Sequence, residues 1–82
     1  MPVIFRHDGY RFFFFSNEGN PLEPCHIHVR KAEALAKFWV LENGVILAES
    51  YGLSSSELQK LQKIIQNNQS LIERTWHDYF KL

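Results

Sequence analysis

The stretch Val3-Ile4-Phe5-Arg6-His7-Asp8-Gly9-Tyr10-Arg11-Phe12-Phe13-Phe14-Phe15-Ser16 sets two β-prone runs on either side of an Asp-Gly pair. Such a pair is the strongest short-range signal for a β-hairpin, because a type I′ turn needs positive φ at both central positions. A two-residue loop also fixes the register. His7 should face Tyr10, Arg6 face Arg11, Phe5 face Phe12, Ile4 face Phe13 and Val3 face Phe14. Alternation then assigns Val3, Phe5, Phe12 and Phe14 to the core and Ile4, Arg6, Arg11, Phe13 and Phe15 to the opposite face.

Working outward, residues 17–24 hold two prolines, a glycine and two asparagines, which reads as a loop. His26 to Lys31 reads as a third strand, with Ile27 and Val29 on one face and His26, His28 and Arg30 on the other. Ala32 to Ala34 reads as a turn. Leu35 to Leu41 and Val45 to Tyr51 form a second hairpin around Glu42-Asn43-Gly44, whose register stays open. An Asn43-Gly44 loop puts Lys37 and Glu49 on opposite faces; a three-residue turn with Gly44 in a bulge sets them directly across from each other.

After Gly52 come thirty residues without Gly or Pro. Ser54 and Glu57 form a capping box, and Leu53 and Leu58 are placed for a hydrophobic staple, so a helix should start at Ser55. Leu58, Leu61, Ile64 and Ile65 make its apolar stripe. Asn67-Asn68 interrupts the stripe, and Ser70 with Glu73 suggests a second capping box before Leu71, Ile72, Trp76, Tyr79 and Phe80. One continuous helix would run about 39 Å at 1.5 Å per residue, longer than short strands cover, so two helices are expected. The predicted fold is α+β: one domain over residues 1–82, with a four- to five-stranded antiparallel sheet in 1–51 and one or two helices in 54–80 packed on one face.

The 82 residues, 45% hydrophobic, 22% charged and 15% aromatic, exclude disorder and rods and leave room for one core. A chain this short would spend most of that core on an internal haem or dinucleotide, so no cofactor is expected and any site should lie on the surface. Nine basic residues balance nine acidic ones, so no global field draws the chain to nucleic acid or membrane. The lone Cys25 allows no internal disulfide, and neither a signal peptide nor an apolar run of membrane length is visible; a cytoplasmic protein is the expectation.

The candidate chemistry follows from the faces. Arg6 opposite Arg11 juxtaposes like charges across a strand pair, which is destabilising unless something anionic lies between. Glu18, Glu23 or Glu49 would serve, as would open solvent, a phosphate or a partner's acidic side chain. His26 and His28 project from the same face about 6.5 to 7 Å apart. They are candidates for a metal site, given a third ligand from His7, Cys25 or a carboxylate. They are also candidates for the acid and base of a phosphodiester transfer, with Arg6 and Arg11 stabilising the charge, and spacing alone favours plain outward polar residues with a satisfied hydrogen bond. Arg6, Arg11, His26, His28 and Arg30 beside Phe13 and Phe15 would give single-stranded RNA both rings to stack on and cations for phosphate. Alternatively Phe13 and Phe15 are a second core or a protein interface, including a homodimer. Trp39 and Trp76 are anchors or core, and core suits Trp76, which lies on an apolar stripe. Cys25 would be nucleophilic only if His26 lowered its pKa.

Several of these pieces together carry a resemblance. Gly9-Tyr10-Arg11-Phe12-Phe13-Phe14, Ser16-Asn17-Glu18-Gly19, Pro24-Cys25-His26-Ile27-His28-Val29-Arg30, Ala36-Lys37-Phe38-Trp39, Tyr51-Gly52 and Trp76-His77-Asp78-Tyr79-Phe80 resemble, in combination and order, the bacterial domain-of-unknown-function family DUF4160. The resemblance spans essentially the whole chain. It implies a small bacterial protein, often encoded beside a DUF2442 protein in an arrangement like a toxin-antitoxin pair, and so a DUF2442-like partner. Arg11, His26, His28, Lys37 and Trp39 are the motif residues it carries over, without an established catalytic role. Cys25 stands where the resemblance implies several accepted residue types, so no thiol mechanism comes with it. The expected function is that of a toxin-like module binding or acting on RNA. The alternatives are a non-catalytic protein-binding module and a His-x-His metal protein. Glu49, Lys37 and Trp39 join Arg30, Phe13 and Phe15 as binding candidates.

Overall fold

Asp8 and Gly9 take φ of 51° and 81°, the double positive that the Asp-Gly turn demands. Around them β1 (Val3–His7) and β2 (Tyr10–Phe13) pair antiparallel, followed by β3 (His26–Lys31), β4 (Ala34–Leu41), β5 (Gly44–Tyr51), α1 (Ser55–Asn67) and α2 (Gln69–Phe80). The computed structural model describes residues 3–15 and 23–80. The expected loop through residue 22, including Glu18, lies outside them. Each strand pairs antiparallel with the next, giving one sheet in the order β1-β2-β3-β4-β5.

The N-terminal register holds for His7↔Tyr10, Arg6↔Arg11 and Phe5↔Phe12, then slips. Val3 pairs with Phe13 rather than Phe14, because the ladder is irregular between Val3 and Phe5. An extra residue in one strand reverses the faces beyond it. Ile4, expected outside, is partly buried against the core, while Val3, expected inside, is 41% exposed. β2 closes at Phe13, short of the expected Ser16; Phe14 lies past the ladder and is wholly buried edge-on to Trp76 at 5.0 Å.

The second hairpin follows neither expected loop. Leu41 pairs with Gly44, so Glu42-Asn43 is the turn, and the ladder runs regularly to Phe38↔Leu47. Ala48 is then left over, and Lys37 meets Glu49. The cross-strand position of Lys37 and Glu49 thus comes from a bulge inside β5 rather than from the turn.

One face of the sheet holds Tyr10, Phe12, Ile27, Val29, Ala36, Phe38, Val40 and Val45, which form a continuous core with Leu61 and Ile65 of α1 and Ile72 and Trp76 of α2. Each fully buried aliphatic or aromatic side chain in such a cluster contributes about 1.5–3 kcal/mol relative to exposure. α1 starts as expected: the Glu57 amide donates to Ser54 Oγ (3.2 Å) and the Ser54 amide donates to Glu57 Oε1 (3.0 Å). Tyr10 Oη donates to the other oxygen of Glu57 at 3.0 Å, tying the hairpin to the helix. The backbone bond from Ser54, then the Tyr10 hydroxyl, hold the Glu57 carboxyl below its usual range. Lys60 reaches Asp8 Oδ2 at 2.9 Å from the same helix.

The break between helices is made by Asn68, whose side chain donates to the Ile64 carbonyl (2.8 Å) and whose amide donates to the Ile65 carbonyl (3.0 Å). Its own carbonyl accepts from the Ile72 amide at 3.0 Å. Ser70 already lies within α2, so the second capping box is not the device that starts it. Gln62 and Gln69 donate to the Val45 and Leu41 carbonyls, at 2.6 and 2.9 Å, and pin both helices to the β4–β5 hairpin.

The β3–β4 turn contains a strained alanine: Ala32 has φ of 54°, a left-handed conformation that costs a non-glycine residue roughly 1–2 kcal/mol. Glycine removes that strain but has more freedom to lose on folding. Ala32→Gly is therefore expected to raise stability by about 0.5–1 kcal/mol, and the thermal midpoint by about 2–8 °C. Thermal unfolding followed by circular dichroism checks this; an unchanged or lower midpoint contradicts it.

Candidate nucleic-acid interface

The helices cover one face of the sheet, and the strand registers align the other face in rows. Arg6, Arg11, Arg30, Leu35 and Tyr51 are successive cross-strand partners from β1 to β5. Val3, Phe13, His28, Lys37 and Glu49 make the next row, and His26, Trp39 and Ile46 the one beyond. The expected Arg6/Arg11 opposition is present and extends to a third guanidinium, Arg30. With strands about 4.8 Å apart, the three arginines span about 10 Å.

All three are exposed. Arg30 Nε donates to the Ala32 carbonyl at 3.4 Å. Among the described residues the ion pairs are His7–Asp8, Lys60–Asp8 and His26–Glu23, and none reaches this row. Of the carboxylates expected between Arg6 and Arg11, Glu23 lies 3.7 Å from His26 and Glu49 lies across from Lys37.

Beside the arginines is a cleft of about 370 Å³ lined by Phe13, Phe15, His28, Arg30, Lys37, Glu49 and Tyr51, among others, at the small end of ligand-site volumes. The rings are mutually packed. Phe13 stacks on His28 (5.6 Å between centroids), Phe15 meets His28 at a steep angle (4.4 Å), and Phe13 and Phe15 are perpendicular at 5.3 Å. Phe13 is buried, whereas Phe15 is exposed. Lys37 Nζ stands 4.5 Å from the centroid of Trp39, a cation–π contact worth about 0.5–1 kcal/mol at an exposed site.

The two histidines do not share an environment. His28 is half-buried and lines the cleft. His26 is fully buried, with its ring 5.3 Å from Trp39 and 5.0 Å from Trp76. Its Nδ1 lies 3.0 Å from the Pro24 carbonyl, which makes Nδ1–H the donor. The expectation that both imidazoles emerge on an open wall therefore holds for His28 and fails for His26. Alternation does give His26 the outer-face phase, but its ring packs against Trp76 of the helical layer as well as Trp39 and is closed off from solvent. The two rings remain neighbours, 5.2 Å apart and nearly perpendicular.

Among the described residues no three His, Cys, Asp or Glu side chains converge as a metal site would require. His7, one proposed third ligand, sits at the hairpin end, 3.4 Å from Asp8. Cys25, another, is partly buried; desolvation, reinforced by the charge of Glu73, pushes its thiol up to about 12. It therefore stays protonated at neutral pH, unlike a catalytic nucleophile.

Sequence reasoning missed Tyr51 and Leu35, which extend the arginine row and line the cleft. Leu35 joins the row through the β3–β4 register and Tyr51 through the β4–β5 register, and so through the Ala48 bulge; an aromatic at the end of a strand was the available signal. Among the described residues no helix is long and apolar enough to cross a membrane. No curated protein and no solved structure matches the chain. The family model described as Domain of unknown function (DUF4160) matches residues 9–77, most of the chain, and the protein belongs to that family.

Proposed function

We propose that the helix-free sheet face binds single-stranded RNA, and that this binding is what the domain contributes to a toxin-antitoxin-type pair. The observation that carries the reading is the row Arg6-Arg11-Arg30 running alongside the aromatic cleft of Phe13, Phe15 and Tyr51. Three like charges in cross-strand register disfavour the sheet by themselves, and a phosphodiester chain laid across the strands converts that repulsion into attraction. Unpaired bases would then turn into the cleft, where each base stacked on an exposed ring, Phe15 or Tyr51, contributes about 1–3 kcal/mol. Duplex RNA keeps its bases stacked internally and offers no such faces.

Binding is favoured over cleavage because a two-histidine acid–base scheme needs both rings at the scissile phosphate, and His26 is enclosed by tryptophans. The chain is neutral overall, so the electrostatic, salt-dependent part of the affinity should come from this row. Three phosphate contacts to a single strand predict a slope of log affinity against log salt of about −2, or about twentyfold weaker binding at about 200 mM than at about 50 mM salt. Fluorescence anisotropy with a labelled RNA oligomer measures it. Absence of binding at about 50 mM salt sinks the reading. Val3, Leu35, Ile46 and Tyr51 leave apolar surface around the cleft; if the neighbouring DUF2442-like protein co-purifies while RNA is ignored, the face is a protein dock instead.

A further inference from the structure

A cleft built to receive phosphate and bases should be short of carboxylates, yet this one contains Glu49. Its natural counter-ion is close: Lys37 is its direct cross-strand partner, and opposite charges in that position normally pair. Here the ammonium lies over the Trp39 ring at 4.5 Å, and among the described residues no ion pair joins Lys37 to Glu49. The carboxylate therefore remains at the cleft wall, exposed, one row along the sheet from Arg11 and Arg30 and on the same side as the rings of Phe13 and His28.

From this placement we infer that Glu49 reads the base, and that the cleft prefers guanine. The inference rests on the RNA-binding reading above. A carboxylate accepts hydrogen bonds and donates none at neutral pH. Guanine presents two adjacent donors, N1–H and N2–H, which match its two oxygens. Cytosine and adenine present one amino group beside an acceptor nitrogen. Uracil presents a single N–H flanked by two carbonyl oxygens that repel the carboxylate. The order of preference is guanine, then cytosine and adenine, then uracil. The arginine row holds the phosphates in every case, so discrimination adds to a sequence-independent affinity.

The test uses four labelled RNA hexamers of uridine carrying guanine, cytosine, adenine or uracil at one central position, titrated against the wild-type protein and Glu49→Gln. A bidentate match predicts about tenfold tighter binding of the guanine hexamer than of the uracil hexamer. In Glu49→Gln that advantage should largely vanish while the uracil hexamer binds more tightly, since a negative charge has left the phosphate's surroundings. Equal affinities for the four hexamers, or a guanine preference that survives Glu49→Gln, overturn the inference and leave RNA binding intact. If no hexamer binds, the RNA reading and this inference fall together.

Discussion

Arg11→Glu is expected to weaken RNA binding roughly a hundredfold while making the folded protein more stable. Arg11 is the centre of the row, paired with Arg6 on one side and Arg30 on the other. Reversing its charge removes one phosphate contact and adds repulsion, a combined loss of about 2–4 kcal/mol in binding. In the free protein the same change turns two like-charge cross-strand pairs into two opposite-charge pairs, each favourable by about 0.2–1 kcal/mol. The two measurements, anisotropy titration and denaturant unfolding, should therefore move in opposite directions. A fall in stability with unchanged affinity would mean the row serves the sheet and not a ligand.

Trp76→Ala is expected to cost about 3–5 kcal/mol of stability, the usual toll for emptying a large aromatic site. Roughly 4–12 kcal/mol is the total for a domain of this size, so the variant should be partly unfolded at 37 °C. Trp76 is 1% exposed and touches three rings: Phe80 at 4.4 Å, Phe14 at 5.0 Å and His26 at 5.0 Å. No single neighbour can close the space, because Phe14 comes from the segment after β2, His26 from β3 and Phe80 from the same helix. Trp76→Phe should lose much less, since a ring remains at the junction. Urea unfolding followed by circular dichroism separates the two; a loss below about 1 kcal/mol for the alanine variant would show that α2 is held elsewhere.

Local chemistry made the element types legible. The Asp8-Gly9 turn and the Ser54–Glu57 box each act within four residues, and both occur where the residues required them. Register failed to be legible where strands carry surplus residues. Bulges near Ile4 and at Ala48 leave alternation intact on either side, and only the partner strand reveals the slip. The site was half legible for the same reason: Arg6 opposite Arg11 follows from a tight turn and alternation puts Arg30 on the same face, but its place directly beside Arg11 requires the β2–β3 register, which spans a long connection. His26 was misplaced because period-2 reasoning assigns a face and says nothing of which distant rings, here Trp39 and Trp76, close over it.

The bulge in β5 also bears on how this lineage can change length. Losing a codon inside a regular strand transposes every later side chain between the two surfaces. Losing the codon for Ala48 would instead close an unbroken ladder, with Glu49 still facing Lys37 and Tyr51 still facing Leu35. The strand would give up some of its coiling and keep its inventory on each side. Deletion, ordinarily the harshest edit to a sheet, is here among the mildest.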